Sequence, residues 1–516
     1  MDKKVLKWNF IFQYGWVLTN IINSILLLPL YLKNIDKDTL GVWLATGNIL
    51  AWMTMVDPGL GDILQQKIAV LSGQKNEGEI SRTIGSGFIA CVFVLLISIL
   101  FGFLCYIFVG NLINKDVSHY PNLSMALMLS VVATGLSLVS FGMSGINQGL
   151  HNSAQVAICS ISANFLFLFV NLLFLFLGFG VLSIALANLF RAAYINFYNI
   201  ISMLTVVKKR GMEIIFKISH FKEFIRIFSV TSTSKVITSL SYSVEMIVLA
   251  RYIPPSMITI YEINKRPINI LYSLIGRHSV ALMPLISHAK GLDDKVFIID
   301  LIFKQFRFYS YAVLFTCLIF IFNYDNLITA WTGDGQFIGQ SILYILVGGF
   351  FFSLISYFMA TVGYALGDIK MNSIYGIVRN VIFGVLIFLS ARYYGIVGTL
   401  TVTLFFNCLI DMFFYTFRLF KLGYMKFAFF TNSFRYWIII LPIAVVGGWM
   451  FRYITGKLIP SSMHFSKLIV GCGTFTIFFV TLVLFTDKQM QQKAKSLLTK
   501  FLMAPLAKLK RASVNI

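Results

Sequence analysis

Charge is what this sequence most lacks. Only 12% of its 516 residues are Asp, Glu, Lys or Arg, half of the roughly 25% that a soluble domain carries. Acidic residues are scarcest, 20 against 42 Lys and Arg, for a net charge of +22. Ten Pro and 37 Gly are too few for a fibrous or disordered chain. The six cysteines (Cys91, Cys105, Cys159, Cys317, Cys408, Cys472) each sit in an apolar run without a CxxC pair. That spacing offers neither a disulfide framework nor a zinc site. The six His are scattered without HExxH spacing, so no metal and no cofactor is expected.

What is present is apolar. Hydrophobic residues make up 58% of the chain and mean hydropathy is +0.82. So little polar surface cannot cover a water-soluble particle of this size. A soluble enzyme is excluded, and the fold class is an all-α integral membrane protein. In a soluble chain the basic excess would point to nucleic acid. Here it reads as the positive-inside bias of cytoplasmic loops, and no nucleic-acid partner is expected.

A helix needs about 20 apolar residues to cross a bilayer. On that rule about 14 transmembrane helices are expected, near 8–32, 38–56, 81–110, 121–146, 152–178, 180–207, 223–252, 254–286, 296–323, 337–366, 369–392, 394–421, 433–455 and 464–486. The first is longer than a signal-peptide core and lacks a cleavage site, so it reads as an uncleaved span. With the N-terminus inside, the loops divide Lys and Arg 27 inside to 8 outside. That split predicts both termini in the cytoplasm. No outside loop has room for a catalytic domain. Gly73-Gln-Lys-Asn-Glu-Gly78 is followed by Glu79 where a nucleotide-binding loop needs Lys.

Two stretches repeat. Asn147-Gln-Gly149 precedes an apolar run and Gly178-Phe-Gly180, while Ala365-Leu-Gly367 precedes a similar run and Gly395-Ile-Val-Gly398. The Gly149-to-Gly178 and Gly367-to-Gly395 intervals are 29 and 28 residues. The expected layout is a six-helix half at 1–207, a cytoplasmic linker at 208–222 and a second six-helix half at 223–425. Two further helices follow at 426–486, then a basic tail at 487–516. Two parallel halves place a substrate cavity between them near the midplane.

Seven cations fall at membrane depth: Arg191, Lys235, Lys265, Arg266, Lys304, Arg307 and Arg379. At 1.5 Å per residue, Arg191, Lys235, Arg266 and Arg379 lie about 15–18 Å from their span ends. Each would cost about 2.5–3.5 kcal/mol facing lipid, so they must face a cavity, a counter-ion or a ligand. Polar residues at helical spacing accompany them: Thr231, Lys235, Thr238, Tyr242 and Glu245; Glu262, Arg266, Asn269, Ser273 and Arg277; Asn188, Arg191, Tyr194 and Tyr198; and Gln13, Asn20 and Ser24. Intrahelical pairing competes with this reading, because Glu262 precedes Lys265 and Arg266, and Asp300 precedes Lys304, by three or four residues. Lys304 and Arg307 also lie near enough to the inside surface to snorkel. Glu245 and Asp411 read as interfacial. The surplus of cations predicts an anionic substrate, whose phosphate oxygens Arg matches bidentately.

Leu40-Gly-Val-Trp43, Val56-Asp-Pro-Gly-Leu60 with Leu71-Ser-Gly73, and Ala281-Leu-Met-Pro-Leu-Ile-Ser287 resemble motifs of the polysaccharide (O-antigen or capsule repeat-unit) flippases. These belong to the multidrug/oligosaccharidyl-lipid/polysaccharide exporter superfamily. The resemblance implies a non-enzymatic transporter in the bacterial cytoplasmic membrane. It would move an undecaprenyl-diphosphate-linked oligosaccharide outward by alternating access, with the lipid tail left in the bilayer and polysaccharide polymerase or chain-length proteins as candidate partners. Lys235, Arg266, Arg191 and Arg379 would hold the headgroup, Glu262 would couple to an ion or form a salt bridge, and Asp57 would gate or cap a helix. The tail from Asp487 reads as amphipathic and attracted to membrane lipids of the inner leaflet. Two rivals stand beside it: an ion-coupled drug or metabolite antiporter, and a membrane glycosyltransferase or polymerase using Asp325 and Asp334.

Overall fold

The computed structural model describes residues 3–50, 53, 60–216, 244–460 and 462–492. All regular structure among these residues is helical, as it must be where no water can satisfy backbone N–H and C=O groups. The first half of the order is α1 (Lys3–Asn34), α2 (Lys37–Leu50), α3 (Leu60–Gly73), α4 (Glu77–Ile113), α5 (Leu123–Gly149), α6 (Ser153–Phe176), α7 (Leu182–Lys209) and α8 (244–252). There follow α9 (Pro255–Gly291), α10 (Lys295–Thr332), α11 (Gln340–Ala365), α12 (Ile369–Phe405), a π-helical turn (Phe406–Asp411), α13 (Met412–Lys421), α14 (Phe427–Phe434), α15 (Trp437–Leu458) and α16 (His464–Thr486). Gly395, at φ 56°, breaks α12 at the tight turn expected there.

Among the described residues eight helices are long and apolar enough to cross a membrane: Glu77–Ile113, Leu123–Gly149, Ser153–Phe176, Lys295–Thr332, Gln340–Ala365, Ile374–Lys421, Thr431–Leu458 and His464–Thr486. The chain is a multi-pass membrane protein. At 28 and 37 residues, α7 and α9 have the length to cross but carry too many polar side chains to join that set. Hydropathy places no span at 60–73, yet α3 forms there. Leu60, Leu64 and Ile68, four apart, bury one face completely. Its 14 residues are too short to register as a crossing.

The chain divides into two compact units, Met1–Ile263 with Ser373–Thr399, and Asn264–Asn372 with Leu400–Ile516. In the first, α3 and α5 meet backbone to backbone. A Cβ on Gly145 would lie 2.2 Å from the Gly61 carbonyl oxygen, a close approach only small residues permit. Buried amides then tie helix to helix: Asn147 donates to the Asn199 carbonyl at 2.8 Å, Asn171 to the Tyr31 hydroxyl at 2.7 Å, and Asn164 to Thr19 Oγ1 at 2.8 Å. At one end, Arg210 donates to the Leu150 carbonyl and reaches Ser72 Oγ, gathering the ends of α3, α5 and α7. At the other, Lys115 donates to the Ala250 and Ile253 carbonyls and Arg251 to that of Asn111. The loops that alternation assigns to one side meet at one end of the unit.

The second unit packs through rings. Phe358 lies 5.4 Å from Phe306 and 5.1 Å from Tyr309, centroid to centroid, and Phe322 lies 5.7 Å from Phe475. Gly448 on α15 gives Phe322 its space, since a Cβ there would come within 2.1 Å of the ring. The ends of α9, α11 and α13 gather as in the first unit. Lys290 donates to the Leu366 carbonyl, and Arg418 grips Asp368 with two hydrogen bonds of 2.7 and 2.6 Å.

Candidate functional site

The most polar long helix is α9, and its two faces differ. One face is buried: Ile258, Tyr261, Asn264, Ile268 and Ser279 are covered. Tyr261 donates to Glu245, which is thereby engaged in structure. Asn264 donates to the Gln336 carbonyl at 2.6 Å and accepts from the Ile338 amide and, on its own carbonyl, from Tyr324. Those bonds fix the rotation of α9 about its axis. The other face carries the stripe anticipated from spacing: Glu262, Lys265 and Arg266 are half-buried, and Asn269, Ser273 and Arg277 are exposed. Ser273 spends its hydroxyl on the Asn269 carbonyl. Glu262 makes no ion pair with Lys265, Arg266 or any other described residue, so the intrahelical pairing expected there is absent.

The α7 stripe has a different fate. Arg191, half-buried, lies over the Phe167 ring at 5.1 Å. Below it Tyr194 shares a 2.9 Å hydrogen bond with Ser162, and Tyr198 donates to Gln155 at 2.6 Å. Phe167, Ser162 and Gln155 all belong to α6, so this stripe runs along a neighbouring helix. Arg191 forms no ion pair among the described residues. Arg379, on α12, is half-buried, lies 4.3 Å from the Phe383 ring and donates to Asn380 at 3.2 Å.

Among the described residues, Lys304 and Arg307 pair with carboxylates. Lys304 pairs with Asp300 at 2.7 Å on an open surface, both side chains more than half exposed. Arg307 is buried in an ion pair with Asp487 at 2.6 Å, donates to Gln489 at 2.8 Å and stacks on Tyr436 at 4.5 Å. Tyr311 donates to the same carboxylate at 2.9 Å. Arg307 thus secures the end of α16 and the start of α15 to α10 rather than standing open for a ligand, and snorkelling is not its fate. Lys235 and Asp57, with the rest of the span-7 stripe at Thr231, Thr238 and Tyr242, lie outside the described residues.

Spacing alone missed the Asp368–Arg418 pair, 50 residues apart in sequence, and it ranked Arg277 below its more buried neighbours. The exposure of Arg277 at helical register with Arg266 is the signal that brings it in. Of the two acids considered for catalysis, Asp325 is held by Arg452 at 2.7 Å. Asp334 stands exposed on the loop, with His464 at 4.0 Å.

No family model and no curated protein matches the sequence. Solved structures do resemble the fold. The lipid II flippase MurJ in an inward closed conformation aligns with a TM-score of 0.62 at 14% identity, over 92% of this chain and 98% of that one. A multidrug resistance MATE family transporter of the MOP superfamily, inward-facing, aligns at 0.55 and 14% identity, over 80% and 96%. The MATE multidrug transporter DinF-BH, in a ligand complex, aligns at 0.56 and 15% identity, over 82% and 96%. The chain shares its fold with these three transport proteins.

Proposed function

We propose that the protein is a flippase for a lipid-linked oligosaccharide, an O-antigen or capsule repeat unit on undecaprenyl diphosphate, moved outward across the cytoplasmic membrane by alternating access. The observation that carries this reading is the α9 stripe. Asn269, Ser273 and Arg277 are exposed on a membrane-length helix in a protein that also exposes many Leu, Ile and Phe side chains. Arg266, about 17 Å along α9 from its start, cannot face hydrocarbon and belongs beside a water-filled path, with Arg277 three turns nearer the inner surface. Arg266 and Arg277, three turns apart on one face, then offer guanidinium groups to successive positions of a diphosphate along that face. Lys265, beside Arg266 on the same helix, supplies further positive field, and the lipid tail never has to leave the bilayer.

Coverage also favours this reading. The likeness to a lipid II flippase extends over 92% of the chain, against 80 and 82% for the two multidrug transporters. The proposal carries with it the expected layout of about 14 spans in two six-helix halves with two appended helices, and both termini in the cytoplasm. Glu262, which forms no ion pair among the described residues, keeps the ion-coupled antiporter as the second reading, and it is also the residue we assign to coupling.

Complementation tests the proposal. A bacterium lacking its repeat-unit flippase, given this chain, should regain surface polysaccharide. Arg266→Ala and Arg277→Ala should lose it at matched membrane expression, while Arg266→Lys keeps part. Rescue by every variant would remove the α9 site. No rescue, in a host making a sugar the protein accepts, would favour the antiporter.

A further inference from the structure

The second unit carries a cluster of lysines that transport does not use. We infer that the meeting point of the α9–α10 and α13–α14 turns is a binding site for the phosphate headgroup of an anionic phospholipid. Lys295, Lys421 and Lys426 are all exposed there, Lys295 reaching the turn that separates the other two in sequence. Gly423, at φ 74°, ends α13 in a left-handed turn, with the Tyr424 amide bonded back to the Leu419 carbonyl at 3.1 Å. That reversal sets Lys421 and Lys426 on either side of residues 423–424. Lys295, arriving from the other turn, lies 5.4 Å from the Tyr424 ring, and its Nζ would be 2.8 Å from a Cβ on Gly423.

The local carboxylates are largely committed elsewhere. Asp294 caps α10 by accepting from the Phe297 amide at 3.0 Å, Asp300 holds Lys304, and Asp368 holds Arg418. Asp293 and Asp294 are both exposed beside Lys295 and partly offset the cluster. Lys290 directs its ammonium to the Leu366 carbonyl. The three remaining lysines form no ion pair among the described residues.

Depth is fixed by the helices themselves. Lys295 is the first residue of one membrane-length segment and Lys421 the last of another, so the cluster lies at a membrane surface. Beside it Leu292 and Val296 are 70 and 81% exposed. Apolar side chains turned outward next to lysines suit the boundary between headgroups and acyl chains. Cations at that level attract anionic lipid by about 1 kcal/mol each. Neutralising all three should therefore weaken the preference for an anionic over a zwitterionic lipid by about 100-fold, at tenfold per 1.4 kcal/mol, against a constant offset from Asp293 and Asp294. This inference requires only that the chain spans a membrane, whatever it carries.

The test uses the full chain in phosphatidylcholine nanodiscs containing phosphatidylglycerol, with retained lipids counted by native mass spectrometry. The wild type should keep phosphatidylglycerol selectively. A K295Q/K421Q/K426Q variant should lose about 100-fold of that preference, K295R/K421R/K426R should retain it, and K33Q/K457Q/K467Q should be unaffected. Thermal melting of each variant checks that the fold survives. Equal loss in the Gln and Arg variants, or no loss in either, would overturn the site. Displacement of the lipid by soluble inorganic pyrophosphate at low concentration would overturn the lipid assignment in favour of a free phosphate ligand.

Discussion

The two units solve one problem by different chemistry. Helices in a bilayer gain nothing by burying apolar surface against each other, so contact must come from close packing and polar bonds. The first unit uses neutral amides and glycines: Asn147, Asn164, Asn171 and Asn199 bridge helices, and Gly61 meets Gly145. The second uses rings and charge. Among the described residues, every ion pair joining residues more than four apart in sequence falls there: Arg307–Asp487, Arg418–Asp368, Arg452–Asp325 and His464–Asp334. The corresponding corners make the contrast sharpest. The corner after α5 is held by Arg210 on a bare carbonyl and by Asn152 on Ser202, and the corner after α11 by Arg418 on the Asp368 carboxylate. A grip on a carbonyl or hydroxyl strands no charge when the donor is removed. A buried charge left alone costs much more.

The largest expected effect follows from that difference. Arg307 and Asp487 are almost completely buried, and removing one partner strands the other charge. Arg307→Ala should destabilise the protein by about 3–5 kcal/mol, whereas Arg307→Met with Asp487→Leu should recover most of it. Thermal unfolding of the purified chain in detergent reads both. Loss of under about 1 kcal/mol in the single variant would show that the second unit does not depend on its charges. Surface polysaccharide restored by the double variant would confirm that Arg307 serves the fold and not the substrate.

The helices were legible wherever one segment carried its own signal. Runs of apolar residues marked α4 to α7, α10 to α12, α15 and α16. The 3- and 4-residue spacing of Glu262, Arg266, Asn269, Ser273 and Arg277 marked the polar face of α9. The pairing of Asp300 with Lys304 could be read the same way, being one turn apart. The partner of Arg307 could not, because Asp487 lies 180 residues on, and only the folded chain brings α16 back to α10. Nor could the stripe on α7 be distinguished from that on α9. Both show polar residues at helical spacing, yet one turns to α6 and the other outward, and that choice is made by neighbouring helices. The short α3 escaped because its 14 residues fall below the length of a crossing, although Leu60, Leu64 and Ile68 bury one face of it.

An intermediate effect is expected in the first unit. Asn147 is fully buried and donates to Asn199 and to the Met143 carbonyl. Asn147→Leu removes an interhelical bond and strands no charge. It should cost about 0.6 kcal/mol and no more than about 1.7, the range found for such bonds between membrane helices. Unfolding under the same conditions as Arg307→Ala gives the ratio directly. A cost equal to that of Arg307→Ala would erase the proposed distinction between the units.

The smallest effect belongs to Lys304, and it separates a cation of the surface from a cation of the path. Its ion pair with Asp300 is one helical turn long and more than half exposed on both sides. Such pairs contribute about 0.3–0.5 kcal/mol, because water already solvates both charges and the long side chains lose freedom in meeting. Lys304→Ala should therefore shift stability by no more than that and leave surface polysaccharide at the wild-type level in the complementation assay, while Arg277→Ala on α9 abolishes it. Loss of polysaccharide in Lys304→Ala at normal stability would return this residue to the substrate path. It would also mean that the exposed face of α10, like that of α9, meets the headgroup during the cycle.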